Sequence, residues 1–272
     1  MSTSRDSLDV AFVVTSPGIM TTLQDSGRFG QGHLGLPPSG ALDTMSLGLA
    51  NALVGNTPTS ESQTGLVNDR RAEAFRALVL RDGDELHIRR VLSGARAYLA
   101  VGGGFAATPF LGSVSTLVRA DIGGFDGRAL VVGDRLALND PVAGASHSGK
   151  VGERHLPQRE KRPIRVVLGP QSIFFKSAKI ARFLSAEWSI LTLSDRMGYR
   201  LVGPVLVSTL GHNIVSDALM TGSVQIPGDG QPIIAMNDRG TTGGYPKIAT
   251  VIRADLARLG QMKPGDRLCF EV

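Results

Sequence analysis

The chain has 272 residues, with 29 Lys and Arg residues against 24 Asp and Glu residues, which gives a formal net charge of +5. Its 42% hydrophobic content can fill a substantial core, which excludes an intrinsically disordered protein. Because glycine supplies 34 residues and aromatic residues only 5%, we expect tight turns and short strands to shape the fold. No basic stripe is interleaved with aromatic residues, so no nucleic-acid partner is expected.

The N-terminal region and the cysteine content indicate the cellular compartment. The apolar run Ala11-Phe-Val-Val is too short for a signal peptide, and no apolar run approaches the length of a membrane span. Cys269 is the only cysteine and cannot form an internal disulfide. We therefore expect a cytoplasmic protein that does not associate with a membrane.

Short aliphatic segments bounded by Gly, Asp or Pro recur along the chain. They cover residues 77–80, 85–88, 97–101, 129–132, 135–138, 164–168 and 233–236. This spacing is typical of barrels or sandwiches of short strands and not of alternating strand-helix units. The sequence therefore predicts a mainly β protein.

Few helices are predicted. One begins at Asp43, a good N-cap, and ends at Gly55-Asn56, with apolar residues spaced by three and four between them. A second runs from Ser177 to about Leu184, with its apolar side chains on one face. A short helical turn is expected after Asp255.

A repeated turn motif indicates two similar halves. Gly133-Asp134-Arg135-Leu136 recurs as Gly265-Asp266-Arg267-Leu268, and Gly83-Asp84-Glu85-Leu86 is a weaker copy. A Gly-Asp pair can form a tight turn into a strand, although such turns are also common in unrelated β proteins. We predict two barrel-like domains, residues 1–142 and 163–272, joined by a polar linker at residues 143–162.

Several familiar chemical motifs are missing. The sequence has no phosphate-binding loop, no dinucleotide-binding fingerprint, no serine-nucleophile elbow and no His or Cys spacing typical of a metal site. Lys247 and Lys263 each adjoin a proline and do not have the Met-Lys-Met setting of a biotin-carrying lysine. We predict no metal, and we expect any ATP or biotin to be held by another chain.

Two glycine-punctuated polar clusters are candidate binding sites. The first covers residues 24–43, where Gln24, Asp25 and Arg28 could converge on a small ligand, or Asp25 and Arg28 could pair with each other across a turn. The second covers residues 195–204 and contributes Asp195, Arg196 and Tyr199, whose cationic and phenolic groups suit a carboxylate. Without a known partner, a charged turn that leads into a strand is the favoured interpretation of this second cluster.

A third cluster, at residues 225–247, is the richest in functional groups. Its candidates are Gln225, Asp238, Arg239, Thr241, Thr242, Tyr245 and Lys247. Such a loop could bind a carbonyl compound and stabilise a developing oxyanion. Alternatively it is a long turn that caps its own backbone, but a turn alone needs far fewer ionisable groups, so a functional site is favoured.

These clusters, and blocks elsewhere, resemble one known family. The matching blocks are Gly18-Ile-Met-Thr-Thr-Leu-Gln-Asp-Ser-Gly-Arg-Phe-Gly, Gly40-Ala-Leu-Asp, Ala97-Tyr-Leu-Ala-Val-Gly-Gly-Gly, Leu111-Gly-Ser-Val-Ser-Thr, Ser194-Asp-Arg-Met-Gly-Tyr-Arg-Leu, Gln225-Ile-Pro and Pro264-Gly-Asp-Arg-Leu. They resemble the allophanate hydrolase subunit 2 family, also called urea amidolyase-related or biotin-dependent carboxyltransferase-like, which includes the C-type subunit of 5-oxoprolinase. Residues 57–75 are shorter than the family's usual segment, and Gly240 stands where the family has Gln.

The resemblance implies a fold, partners and an activity. It implies two cyclophilin-like β-barrel domains and a subunit 1 homologue as partner in a hetero-dimer or hetero-tetramer, which a third lactam-utilisation subunit can join. The implied activity is a subunit of an ATP-dependent amide or lactam hydrolase of the 5-oxoprolinase type, with ATP handled by an associated subunit. Two alternatives stay open, namely carboxyl transfer in urea metabolism with biotin on another chain, and a non-catalytic regulator that antagonises a kinase inhibitor.

Residue chemistry gives the candidate roles in this reading. Arg28, Arg196 and Arg239 are candidates to hold a substrate carboxylate or phosphate. Asp238 and Lys247 are candidates for proton transfer or oxyanion stabilisation, which makes Asp238, Arg239 and Lys247 the predicted catalytic residues.

Overall fold

The computed structural model describes residues 11–56, 66–67, 75–88, 91, 93–140, 150–152 and 162–272. The chain divides into two units. The first comprises Met1–Gly27, Met45–Arg90 and Ala97–Leu156, and the second comprises Arg28–Thr44, Val91–Arg96 and Pro157–Val272. Most of the predicted linker, and most of the shortened 57–75 segment, lie outside the described residues, so the predicted domain boundaries stay a prediction.

The first unit contains short paired strands. The strands are β1 (Ala11–Val13), β2 (Leu66–Val67), β3 (Leu86–His87) and β4 (Arg135–Ala137), and helix α1 spans Thr44–Leu53. Strand β1 pairs antiparallel with β4, and β2 pairs antiparallel with β3. A 3-10 turn at Val118–Ala120 and several isolated bridges complete the described part of this unit.

The second unit holds most of the regular structure. Its strands are β5 (Ile164–Leu168), β6 (Trp188–Ile190), β7 (Gly198–Val202), β8 (Asp217–Ala218), β9 (Ser223–Gln225), β10 (Ile233–Ala235), β11 (Thr242–Gly243), β12 (Lys247–Val251), β13 (Arg267–Leu268) and β14 (Phe270–Glu271). Its helices are α2 (Ser177–Ser185) and α3 (Arg253–Gly260), with 3-10 turns at Gly32–Leu34 and Ser172–Phe174.

One eight-stranded sheet organises the second unit. Its order is β13-β6-β7-β10-β9-β12-β5-β14, and β8 and β11 form a separate two-stranded ribbon. The first and last strands of this order, β13 and β14, are separated along the chain only by Cys269. The sheet must therefore curve until its two edges nearly meet, which gives it the form of a barrel. The prediction of a mainly β, barrel-forming protein with few short helices is confirmed.

A single apolar cluster fills the interior of the second unit. Phe183 of α2 is fully buried and stacks on Phe270 of β14, with 4.4 Å between ring centroids. The indole N–H of Trp188 donates a hydrogen bond of 3.0 Å to the carbonyl of Phe183, so the polar edge of this ring is satisfied inside the core. Burial of each such ring contributes about 2–3 kcal/mol to folding, which makes this core a rigid support for the loops at its edges.

The helix predictions are confirmed. Helix α1 begins one residue after Asp43 and ends before Gly55, whose φ of 74° only glycine adopts readily. Helix α2 begins at Ser177 as predicted and buries Phe183. The turn expected after Asp255 is instead a full helix, α3, that begins two residues before it. None of the helices in the described part of the chain has both the length and the apolarity needed to cross a bilayer.

The prediction of a strand is wrong for three of the short aliphatic segments. Residues 77–80, 97–101 and 129–132 carry at most a single bridge. Val79 and Val132 are 74% and 67% exposed, so apolar composition alone did not bury these segments. A strand needs consecutive pairs with a neighbour, whereas residues with positive φ such as Asp121 and Asp126 interrupt the chain near the third segment. Residues 85–88, 135–138, 164–168 and 233–236 do contain strands.

All three Gly-Asp motifs form the same turn, as predicted. Gly83, Gly133 and Gly265 have φ of 82°, 92° and 89°. The aspartate that follows each glycine accepts a hydrogen bond from the backbone N–H three residues earlier, at 2.7, 2.8 and 3.0 Å respectively. The turns lead into β3, β4 and β13. The turn thus follows from local sequence, because its hydrogen bonds close within four residues.

Candidate functional site

Lys247 opens strand β12, yet it is only 3% exposed. It lies opposite Gln225 of β9, and the pairing shifts between Lys247 and Ala249 in a β-bulge. Bulges redirect side chains and are frequent beside functional sites. Because the apolar residues that follow Lys247 are buried in the core, the strand carries the lysine inward with them.

Asp217 of β8 is the partner of Lys247, and sequence reasoning missed it. The Lys247 ammonium donates to Asp217 Oδ2 at 2.6 Å and to the carbonyl of Ala218 at 3.2 Å. The hydrogen bond from Lys247 lowers the pKa of Asp217, and the backbone N–H of Ala218 lowers it further. Asp217 is therefore a carboxylate at neutral pH. Asp217 stands 30 residues away in a stretch without a motif, so no local signal identified it.

Gln225 and its neighbours enclose the buried lysine. The Gln225 amide donates weakly to the carbonyl of Tyr245 at 3.4 Å, and Gln171 accepts from the backbone N–H of Lys247 at 3.3 Å. A Cβ at Gly243 would lie 2.4 Å from Nε2 of Gln225, so a larger residue in β11 would displace this amide. Gln225, Tyr245 and Lys247 are thus brought together.

Arg239 is a half-buried cation whose hydrogen bonds, among the described residues, go only to neutral oxygens. Its Nε donates to the carbonyl of Leu219 at 2.9 Å and its Nη1 to Thr221 Oγ1 at 2.7 Å. Within the described ranges, no carboxylate lies within 4.0 Å of this guanidinium. Burial lowers the pKa of Arg239, because removal from water disfavours the charged form of the guanidinium. An anionic ligand would compensate it.

Arg196 and Asp238 form a two-pronged ion pair. Arg196 Nε donates to Asp238 Oδ2 at 2.8 Å and Nη2 donates to Oδ1 at 3.0 Å. Arg196 Nη2 also donates to the carbonyl of Gly40 at 2.8 Å. Both oxygens of Asp238 are thus engaged by a cation, which suits positioning better than proton transfer, and its proton-transfer role stays a prediction.

The two remaining candidates of the second cluster, Asp195 and Tyr199, form hydrogen bonds with other groups of the protein. Asp195 is exposed and accepts from the backbone N–H groups of Met197 and Gly198 at 2.8 and 3.2 Å, which is the charged turn of the favoured interpretation. The buried Tyr199 hydroxyl donates to the carbonyl of Met262 at 3.0 Å and accepts from Arg96 at 2.7 Å. Both residues therefore use their polar groups within the protein.

The two threonines lie on or beside the β8–β11 ribbon. Thr242 is exposed and pairs with Ala218, and the carbonyl of Thr241 accepts from the backbone N–H of Leu219 at 2.9 Å. The ribbon therefore contains Asp217, the partner of Lys247, and the residues that Arg239 contacts, Leu219 and Thr221, follow β8 directly in the chain.

The first cluster belongs to two different units. Asp25, in the first unit, accepts hydrogen bonds from Ser113 Oγ at 2.6 Å, from Ser115 Oγ, and from the backbone N–H groups of Gly27 and Val114 at 2.9 Å each. Gln24 donates to the carbonyl of Thr116 at 3.0 Å. Arg28, in the second unit, is 1% exposed and its backbone N–H donates to the carbonyl of Pro38 at 2.6 Å.

The candidate site is therefore defined by Asp217 and Gln225, which both adjoin Lys247, by Arg239, whose partners Leu219 and Thr221 follow β8 in the chain, and by the Arg196–Asp238 pair, which precedes Arg239 in the chain. It offers an ammonium held by Asp217, a guanidinium paired with Asp238 and, in the part of the chain that the structure describes, a guanidinium without a carboxylate partner. Such groups suit recognition of an anion and stabilisation of charge that develops on a carbonyl oxygen. Among the described residues, no three His, Cys, Asp or Glu side chains are grouped as metal ligands.

Comparison with known proteins gives consistent matches. Residues 61–272 match the family described as carboxyltransferase domain, subdomain A and B. The chain is 36% identical to the C-type subunit of 5-oxoprolinase from Escherichia coli strain K12, over a gapped alignment of 277 positions that covers 93% of this chain and 88% of that protein. It is 34% identical to urea amidolyase of Lachancea kluyveri over 98% of this chain but only 17% of that protein.

A solved structure has the same fold. The crystal structure of the K. lactis urea amidolyase superposes with a TM-score of 0.89 at 31% identity, over 98% of this chain and 19% of that chain. This chain therefore spans nearly the whole length of the E. coli 5-oxoprolinase component and about a fifth of the urea amidolyase.

Proposed function

Because the chain belongs to the carboxyltransferase domain family, subdomains A and B, we propose that it is the C-type subunit of an ATP-dependent 5-oxoprolinase. In this proposal it forms a hetero-oligomer with a subunit 1 homologue, which a third lactam-utilisation protein can join. The complex opens the lactam ring of 5-oxoproline (pyroglutamate) to glutamate. The similarity to the E. coli protein over 93% of this chain supports the proposal.

The choice of substrate rests on the surroundings of Arg239. It is a half-buried guanidinium surrounded by neutral partners within the described structure, so it favours a ligand that brings a negative charge. 5-Oxoproline carries a free carboxylate next to its lactam amide, whereas urea carries none. A guanidinium that binds this carboxylate would fix the orientation of the ring.

In the proposed reaction, the Lys247 ammonium stabilises the negative charge that develops on the substrate. When a nucleophile adds to the lactam carbonyl, negative charge develops on the carbonyl oxygen before the C–N bond breaks and the nitrogen takes a proton. Asp217 holds the Lys247 ammonium at 2.6 Å, so the positive charge is in place before the reaction begins. ATP, held by an associated subunit, supplies the driving force for opening an unstrained amide.

Carboxyl transfer to urea or a related amide is the second candidate. The description of the family and the similarity to urea amidolyases favour it. It requires a biotin carboxylase and a biotinyl lysine supplied from elsewhere. Lys247 would serve the same oxyanion role in that reaction, but Arg239 would lack a carboxylate on the acceptor.

Two assays on the assembled complex separate the candidates. The chain is co-purified with the subunit 1 homologue, and ATP-dependent glutamate release from 5-oxoproline is measured with and without the third protein. Biotin-dependent carboxylation of urea is measured in parallel. Glutamate release establishes the first candidate, urea carboxylation without glutamate release establishes the second, and the absence of both would favour a regulatory binding protein.

Arg239→Gln tests the substrate assignment. We expect the KM for 5-oxoproline to rise about tenfold or more, because a charge-assisted hydrogen bond is lost. The matched control is Arg267→Gln, which removes an exposed guanidinium paired with Glu187 at 2.7 Å. An unchanged KM in the Arg239 variant would contradict recognition of the carboxylate by this residue.

A further inference from the structure

Gln171 lies in the turn that follows strand β5, and its side chain is half-buried. This turn runs close to the start of β12, because the N–H of Gly169 donates to the carbonyl of Ile248 at 2.8 Å. A Cβ at Gly169 would lie 2.2 Å from the carbonyl oxygen of Lys247, so a larger residue would push the turn away from the lysine. The fold therefore holds Gln171 beside the backbone of Lys247.

The amide of Gln171 contacts both members of the Asp217–Lys247 pair. Its oxygen accepts from the backbone N–H of Lys247 at 3.3 Å, at the bulge where the pairing of β9 and β12 shifts. The pKa of Asp217 is lowered most by the hydrogen bond from Lys247, and a hydrogen bond from the Gln171 side chain lowers it further by a smaller amount. An ionised carboxylate can only accept, so the amide nitrogen of Gln171 is the donor in that contact.

A neutral amide suits the restraint of this ion pair. The lysine side chain has a long, flexible stem, and Asp217 is 51% exposed, so water competes for its carboxylate. Glutamine accepts through its oxygen and donates through its nitrogen, and it adds no charge. A carboxylate in its place would repel Asp217, and an ammonium would compete with Lys247 for it. Gln171 therefore restrains the two charged residues without weakening their attraction.

We propose that Gln171 is a positioning residue, which holds Asp217 and the backbone of Lys247 together so that the ammonium is in place for the reaction. This inference rests on the proposed function and deepens it. Gln171 acts through Lys247 and Asp217 and not on the substrate. Its loss should therefore change the rate of turnover and not the binding of substrate.

Gln171→Met tests the proposal in the assembled complex. Methionine has a similar length but lacks the amide donor and acceptor. We expect kcat for glutamate release from 5-oxoproline to fall about fivefold at an unchanged KM, because the ammonium is held less firmly. A wild-type kcat would overturn the proposal, and so would a loss that appears only as a higher KM.

Gln231→Met is the matched control. Gln231 is also half-buried and uses both ends of its amide, since Oε1 accepts from the N–H of Gly203 at 2.9 Å and Nε2 donates to the carbonyl of Gly203 at 3.2 Å. Both substitutions should lower the melting temperature by about 2–4 °C. Only Gln171→Met should lower kcat. Equal losses of kcat in the two variants would overturn the proposal, because they would reflect general destabilisation.

The double variant Gln171→Met with Asp217→Asn tests whether the two residues act together. If Gln171 acts through the ion pair, its substitution should matter less once the carboxylate is gone. We expect kcat of the double variant to fall well short of the roughly 25-fold loss that two independent fivefold effects would give. A loss equal to that product would overturn the proposal.

Failure of the proposed function is distinguishable from failure of this inference. If the wild-type complex releases no glutamate, the 5-oxoprolinase assignment fails, and the pKa of Asp217 is measured on the full chain from the NMR shift of its carboxyl carbon. Gln171→Met should raise this pKa, because the carboxylate loses a donor, and Gln231→Met should leave it unchanged. The same pKa in Gln171→Met and in the wild type would overturn the positioning role.

Discussion

Two polar clusters that look alike in the sequence differ in how their side chains are used. Asp25, in the first unit, accepts four hydrogen bonds from two serines and two backbone N–H groups. In the second unit, Arg239 contacts only neutral oxygens within the described residues. A satisfied group stabilises its own loop, whereas an uncompensated one is available to a ligand. Counting donors and acceptors therefore distinguishes scaffold from site.

The largest effect is expected at Lys247. In Lys247→Met, kcat should fall about 10²- to 10³-fold, because the charge that stabilises the oxyanion is lost. The melting temperature should change little, since methionine fits a buried position and Asp217 is half exposed. Turnover and thermal unfolding are measured on the assembled complex. Lys263→Met is the control, because Lys263 is exposed, and equal losses in the two variants would contradict a specific role.

Asp25→Ala should act on stability and not on chemistry. We expect the free energy of unfolding to fall by about 3 kcal/mol, because four donors, including the buried Ser113 and Ser115 hydroxyls, lose their acceptor. Denaturant unfolding measures this change. Asp195→Ala, at an exposed turn, should cost less than about 1 kcal/mol. A similar cost for both would show that Asp25 is not the scaffold group described above.

Asp255 extends the comparison to a second satisfied carboxylate. It is 0% exposed and accepts from Arg165 N and Nη2 at 2.8 Å each and from Arg258 at 3.1 Å. Burial raises the pKa of Asp255, but the hydrogen bonds of Arg165 and the charges of Arg258 and Arg165 outweigh it and lower the pKa to about 2.

A lowered carboxyl pKa stabilises the fold above the ordinary value of 3.8, and this stabilisation is lost as the pH falls towards 2. We expect a loss of about 2 kcal/mol across that interval. The measurement is the difference in unfolding free energy between wild type and Asp255→Asn as a function of pH. A difference that does not depend on pH below about 4 would contradict the assignment.

The smallest effect is expected at Asp217. In Asp217→Asn the ammonium of Lys247 keeps an oxygen partner but loses the charge that anchors it, so kcat should fall about fivefold with an unchanged KM. Asp229→Asn, at an exposed turn, is the matched control. A loss as large as that of Lys247→Met would mean that Asp217 takes part directly in the reaction, and a wild-type rate would remove its positioning role.

Much of the fold was predictable because it depends on local contacts. The predicted N-termini of α1 and α2 and the three Gly-Asp turns use residues within a few positions of one another. The family was predicted from ordered motifs and is confirmed over residues 61–272. The predicted strands at 77–80, 97–101 and 129–132 failed because strand pairing needs a partner segment that composition does not specify.

By itself, the sequence determined a β-rich chain with two short helices in known places, repeated Gly-Asp turns and membership of one family. Only the tertiary structure decided which polar residues have their hydrogen bonds satisfied within the protein and which can still bind a ligand. Asp217 meets Lys247 across 30 residues, Asp25 meets Ser115 across 90, and Gly40 meets Arg196 across 156. Hydrogen-bond satisfaction at such separations depends on how the whole chain packs, so a residue list that treats Asp25 and Arg239 alike cannot predict it.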